Sequence, residues 1–212
     1  MKSLTKIFSP QVQHVKLPGL SLAVIRPIRP DDGPRLSEGL RKLSLESRRQ
    51  RFFYSKSKYT AAELKDFTHC DGAHHLALVL VEIGPDCRED QFIAVARSMR
   101  DKVDFNLAEV AIAVADAWQH RGVGGILIRA LASSAWEAGI QSWSASFYTD
   151  NFAMRKLLEL VGYEQSEKSE EIGAVSLAVY RLSPPSLVPP LLPKRMQDSE
   201  PTGRHALNSL SK

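Results

Sequence analysis

Two rhythms of apolar positions run along the 212-residue chain. Short apolar runs alternate with segments in which apolar residues recur every three or four positions. Leu22–Ile28, Leu76–Ile83, Phe92–Met99, Leu107–Val114, Ser142–Phe147 and Ala174–Leu182 are six to nine residues long and read as strands. Gly84-Pro85-Asp86 supplies turn chemistry between the second and third of these. Leu107–Val114 is apolar on both of its alternating faces, which predicts a central strand covered on two sides. Leu36, Leu40 and Leu43 give one helix, with Asp31 or Asp32 at its start. Thr60 followed by Glu63 is a capping-box pattern, and Leu64 and Phe67 give that helix an apolar face. Val123, Ile126, Leu127, Ala130, Leu131 and Ala135 mark a long helix that Gly139 ends. Met154, Leu157, Leu158 and Val161 mark another, capped by Asp150 or Asn151 and closed by Gly162. Hairpin-like strands first, then strands alternating with helices, predict a mixed α/β (α+β) layer fold.

Both ends lack this patterning. Residues 1–20 carry no sustained periodicity and read as a flexible extension. Residues 183–212 hold six of the twelve prolines and read as a proline-rich disordered tail. The folded unit is expected over residues 21–182. Its length suits one domain. No apolar run is long enough to cross a bilayer, and residues 1–20 lack the apolar stretch of a secretory signal. The two cysteines, Cys70 and Cys87, are too few for a disulfide framework. Together these features predict a cytoplasmic protein without a membrane partner.

The formal charge of +4 names no partner, but its distribution is uneven. Residues 26–59 hold ten basic against four acidic residues. A solvated face explains such a run better than an anion-binding surface. The run contains no nucleic-acid reading motif, and Trp118, Trp136 and Trp143 do not interleave with it. His69, Cys70, His74 and His75 cluster in sequence, but their spacing matches no common zinc pattern, so no metal is expected.

The chemistry concentrates in Gln119-His120-Arg121-Gly122-Val123-Gly124-Gly125, between the apolar strand 107–114 and the long helix. A helix N-terminus presents unpaired N–H groups and the positive end of the helix dipole. Glycines let the backbone approach a ligand closely. Strand, glycine turn and helix make a cradle for a phosphate or pyrophosphate. The spacing fits neither a Walker-type loop nor a dinucleotide fingerprint. The competing explanation is a tight turn with close helix–sheet packing.

Gln119, Gly122 and Gly124 fill the places of the pyrophosphate-binding motif of the GNAT N-acetyltransferase superfamily, which the chain resembles over about residues 22–182. Asn151 and Gly162-Tyr163 match a second family feature at the correct distance. Within that superfamily the chain is most similar to the acetyltransferase domain of bacterial protein-lysine acetyltransferases. Ile25–Asp32, Leu43–Arg48, Arg51–Phe53 and Ala108-Glu109 carry this likeness. The resemblance implies a mixed central sheet of about six or seven strands flanked by helices. It implies acetyl transfer from acetyl-CoA to a primary amine, such as a protein lysine or a small amine. A non-catalytic acyl-CoA-binding sensor is the alternative outside enzymes. The resemblance further implies that Ile112, Ala113 and Val114 bond the pantetheine arm through their backbone. His120, Arg121, Gly122, Val123, Gly124 and Gly125, after Gln119, would hold the pyrophosphate. Asn151 would contact the cofactor or cap its helix. Glu109, a carboxylate in an apolar strand just before the cradle, is the candidate general base. Its alternative is an exposed residue paired with an arginine such as Arg97. Many family members carry a Tyr general acid where this chain has Leu158, so no acid is assigned. Tyr163 is expected in the core.

Overall fold

The structure, a computed structural model, describes residues 12–17 and 22–188. The apolar runs form strands β2 (Ala23–Pro27), β3 (His75–Ile83), β4 (Glu89–Arg100), β5 (Leu107–Val114), β6 (Ser142–Tyr148) and β9 (Val175–Leu182). Three short strands join them: β1 (Gln13–Val15), β7 (Gly162–Glu164) and β8 (Glu170–Ile172). The sheet order is β1-β2-β3-β4-β5-β6-β9-β7, with β8 also paired to β9. Every pairing is antiparallel except β5 with β6.

Helices cover both faces of this sheet. Strand side chains alternate between faces, so Leu76, Leu78 and Leu80 join one cluster and Ala77, Val79 and Val81 the other. The first cluster packs α4 (Val123–Glu137) and α5 (Phe152–Glu159) through Leu127, Ile128, Leu131 and Leu158, each fully buried. The second packs α1 (Gly33–Lys42) and α3 (Ala61–Thr68) through Leu36, Leu64 and Phe67. Between α1 and α3, α2 (Leu45–Phe52) lies over β5 and β6. The expected capping box opens α3. Thr60 Oγ1 accepts from the Glu63 N–H (3.2 Å), and the Glu63 carboxylate accepts from the Thr60 N–H (2.8 Å). Gly139, at φ +86°, ends α4 in the left-handed conformation a glycine adopts without strain.

Some expectations need correction. Part of the extension placed at residues 1–20 is structured: β1 pairs with β2, and Leu17 is buried. Residues 183–188 continue from β9 against the core. The Ser183 N–H donates to the Val161 carbonyl (2.8 Å), and Val188 packs on the first cluster. The rest of both expected tails, residues 1–11, 18–21 and 189–212, lies outside the described residues. Tyr163 is 62% exposed, not core. Its neighbour Gly162 carries the packing, since a side chain there would meet the Arg181 carbonyl of β9. The basic run 26–59 is not simply a solvated face. Arg26 is fully buried in two bidentate pairs, one with Asp32 (2.6 and 2.9 Å) and one with Glu89 (2.8 and 2.6 Å).

Candidate active site

β5 and β6 run side by side only from Leu107–Ser142 to Glu109–Ser144. Past Glu109 the two strands part. β5 stays paired with β4 as far as Val114, while its other edge has no strand partner among the described residues. A wedge therefore opens between two neighbouring strands in the middle of the sheet. Ile112, Ala113 and Val114 lie along its edge, half-buried. The expectation that β5 is covered on both sides fails here. Its even positions face α4, whereas Glu109 is exposed and Ala111 and Ala113 line a cleft on the other face.

The glycine turn sits at the wide end of the wedge. His120 (φ +58°) and Gly122 (φ +79°) are left-handed, and α4 begins at Val123. The first helical bond runs from the Ile126 N–H to the Gly122 carbonyl. The backbone N–H groups of residues 120–125 have no acceptor among the described residues. Their free donors and the helix dipole fit an anionic group of pyrophosphate type. Arg121 is exposed, its guanidinium 5.2 Å from the Trp118 ring centre. The glycines play different parts. A side chain at Gly122 would meet nothing within 4 Å, whereas one at Gly124 would lie 3.2–3.3 Å from the Leu157 methyls and 3.6 Å from Val114. Gly124 thus serves the packing of α4 against α5 and β5, the competing explanation weighed for this turn.

Two of the sequence-predicted residues brace the wedge. Gln119 Nε2 donates to Ser47 Oγ (3.0 Å), the Val114 carbonyl (3.1 Å) and Asp116 Oδ1 (2.9 Å). Asp116 also accepts from the Ser44 N–H (2.6 Å) and the Ser47 hydroxyl. On the other side Asn151 caps α5, accepting from the Met154 N–H (3.0 Å), and donates to Gln50 Oε1 (2.9 Å). Ser47, Gln50 and Asp116 were not singled out from sequence; only Ser44, three residues before the Ser47 amide it caps, gave a local signal.

Glu109 stands where the strands part. It is exposed and forms no ion pair among the described residues, so the apolar surroundings expected for it are absent. Nor does it pair with Arg97, whose guanidinium stacks on the Phe67 ring (4.1 Å). Leu158, at the place of the family's Tyr, is fully buried in the core. His69, Cys70, His74 and His75 do not converge. His75 Nε2 contacts Arg97 (3.3 Å), and His69 Nδ1 contacts the Lys65 carbonyl (2.8 Å). No group of three or more metal-ligating side chains occurs among the described residues.

A wedge between parallel strands, beside a helix N-terminus with free amides, offers an extended slot with an anion-binding end. The chain belongs to the acetyltransferase (GNAT) family, whose sequence model matches residues 41–163, and that family is one of acyltransferases. Among particular proteins, it is similar to Acetyltransferase Pat of Mycolicibacterium smegmatis, 38% identical over 140 residues, 65% of this chain and 40% of that protein. Its fold is similar to the GNAT domain of S. lividans PAT, with TM-score 0.69 and 29% identity over 81% of this chain and 97% of that one. A cAMP-binding acyltransferase from Mycobacterium smegmatis is similar with TM-score 0.57 and 30% identity, over 84% of this chain and 49% of that one. The chain thus spans less than half of the curated relative it matches. Among the described residues no helix is long and apolar enough to cross a membrane.

Proposed function

We propose that the protein transfers an acetyl group from acetyl-CoA to a primary amine, with a protein lysine as acceptor. The observation that carries this reading is the parting of β5 from β6 immediately after the Glu109–Ser144 pair. On this reading the open edge of β5 at Ile112, Ala113 and Val114 runs beside the pantetheine arm. The amides of residues 120–125 hold the pyrophosphate, and Arg121 adds positive charge. Gln119 and Asn151 hold the two sides of the slot through α2. The lysine acceptor is supported by the likeness of Ile25–Asp32, Leu43–Arg48 and Arg51–Phe53 to bacterial protein-lysine acetyltransferases.

Glu109 then takes the role of base. A lysine ammonium, with a pKa near 10.4, is almost fully protonated at pH 7. Its proton passes to the Glu109 carboxylate, directly or through a water. The freed nitrogen lone pair bonds to the thioester carbonyl carbon. The C–S bond breaks, and coenzyme A leaves as a thiolate that takes its proton from water, since Leu158 offers none.

Glu109→Gln keeps the size of the side chain and removes its basicity. Positioned bases contribute about 10²–10⁴-fold. Turnover on a lysine peptide should fall within that range, while acetyl-CoA affinity by calorimetry stays unchanged. Partial recovery at high pH, where the free amine is abundant, is expected. Near-normal turnover across the pH range would remove Glu109 from the mechanism. Acetyl-CoA binding without turnover on any amine would favour the sensor alternative.

A further inference from the structure

A cleft open to solvent lies under β4 and β5 on the face that carries Glu109. Its walls are apolar: Leu36 and Leu40 from α1 and Leu43 just after it, with Phe67, Phe92 and Ala111. Two arginines break that apolar lining. Arg97, on β4, is 5% exposed. Arg51, from α2, is half-buried. No carboxylate lies within 4 Å of either guanidinium among the described residues. Arg97 has one hydrogen-bonding neighbour, His75 Nε2, and both guanidiniums lie against rings, Arg97 on Phe67 and Arg51 on Phe52 (4.9 Å).

This is an unusual condition for buried charge. Removing a guanidinium from water is costly unless an anion faces it. The same fold meets that demand at Arg26, which has two carboxylates. At the cleft it leaves two cations near one another with no carboxylate in contact; Glu109 acts on Arg51, and Asp66 on Arg97, only from beyond ion-pair distance. Burial, with the adjacent Arg51 charge, pushes Arg97 down to about 10, and burial lowers Arg51 as well. The planar, multiple N–H donors of arginine match a carboxylate in a bidentate way.

We infer that Arg51 and Arg97 form an anion subsite for the acceptor, and that the amine acetylated at Glu109 belongs to a molecule that also carries a carboxylate. The inference rests on the acyl-transfer reading above. Arg97 pairs with Ala111 in the β4–β5 ladder, and Ala111 is two residues beyond Glu109 on the same face. Two residues along a strand span about 7 Å. One acceptor can therefore present its amine at Glu109 and its carboxylate to the arginines. The carboxylate comes either from an acidic residue beside the target lysine or from the α-carboxylate of a free amino acid.

The test compares matched acceptors that differ only in that charge. One arm uses a capped Lys-Asp dipeptide against Lys-Asn; the other uses L-lysine against L-lysinamide. In at least one arm the carboxylate should raise kcat/KM by about tenfold or more, through KM. Arg51→Gln and Arg97→Gln should bring the two acceptors of that pair within about twofold, with acetyl-CoA affinity unchanged. No preference for the carboxylate in either arm overturns the inference, as does a preference that persists in the folded variants. If Arg97→Gln fails to fold, the half-buried Arg51→Gln decides alone. Calorimetric binding of the same acceptors, with coenzyme A present, separates the two readings. A carboxylate preference in binding without turnover upholds the subsite and refutes acyl transfer. Turnover without the preference refutes the subsite alone.

Discussion

Replacing Asp32 by Asn should cost about 3 kcal/mol of stability. Asp32 and Arg26 are both fully buried, and their side chains meet through two hydrogen bonds. The Asp32 carboxylate also accepts the Arg29 N–H at 2.8 Å. Breaking a buried pair by removing one partner costs about 3–5 kcal/mol, because the other charge is left without compensation. Here Glu89 still faces Arg26 through a second bidentate pair, which places the loss at the low end. For a chain of this size, ~3 kcal/mol lowers Tm by about 6–12 °C. The assay is urea and thermal unfolding of both proteins, repeated as a function of pH. Burial alone would raise the Asp32 carboxyl, but hydrogen bonds from Arg26 and the Arg29 amide outweigh it and hold it below the usual range. Hydrogen bonds from Arg26 hold Glu89 low as well. A depressed folded-state pKa gives stability that is complete above the unfolded value, about 4, and is lost as pH falls through the folded values. The stability difference between wild type and Asp32→Asn should therefore be constant between pH 7 and 5, where the half-buried His75 affects both proteins alike, and should shrink below about pH 4. A decrease under about 1 kcal/mol at pH 7 would refute the claim that this pair anchors the start of α1. The anchor bears on the proposed acceptor cleft, because α1 supplies Leu36, Gly39 and Leu40 to its wall.

Gly162→Ala should destabilise by about 1–3 kcal/mol, since the new Cβ would clash with the Arg181 carbonyl and force β7 away from β9; an unchanged urea midpoint would contradict that contact. Gly124→Ala should be nearly neutral, because flexible Leu157 methyls at 3.2–3.3 Å can give way while alanine gains about 1 kcal/mol of helix propensity. Its acetyl-CoA affinity should stay within about threefold by calorimetry. A tenfold loss, ~1.4 kcal/mol, would show that Gly124 faces the ligand and not α5.

Elements with a strong period were legible, and those built by pairing or by polar bonds were not. The span of β5 follows directly from Leu107–Val114, and α4 from its three-and-four spacing. The three-residue strands β1, β7 and β8 have too few positions to show alternation, and exist because β2 and β9 offer them partners. Tyr163 read as core because it follows a packed glycine, yet strand alternation turns its ring outward once Gly162 is fixed against β9. The burial of Arg26 was hidden for a different reason. Its partner Glu89 is 63 residues away, and only the β2–β3–β4 order brings them together.

The candidate site divides the same way. Glycines and a helix start announce the turn at residues 120–125, because its chemistry is local backbone. α2 announces nothing, since Leu-Glu-Ser-Arg-Arg-Gln-Arg-Phe has no apolar face and buries no residue. Its place is set by polar bonds to both sides of the wedge. Ser44 and Ser47 bind Asp116, and Ser47 also meets Gln119, on the β5 side. Gln50 binds Asn151, and Arg49 lies over the Tyr148 ring at 4.7 Å, on the β6 side. Such bonds contribute only about 0.5–1.5 kcal/mol each, because water replaces them readily. The helix that spans the wedge is therefore held mainly by polar bonds to its two sides, with Phe52 set edge-on against Tyr59 at its end. That same helix carries Arg51 into the acceptor-side cleft. The segment with the least hydrophobic signal thus joins the slot proposed for acetyl-CoA to the cleft proposed for the acceptor.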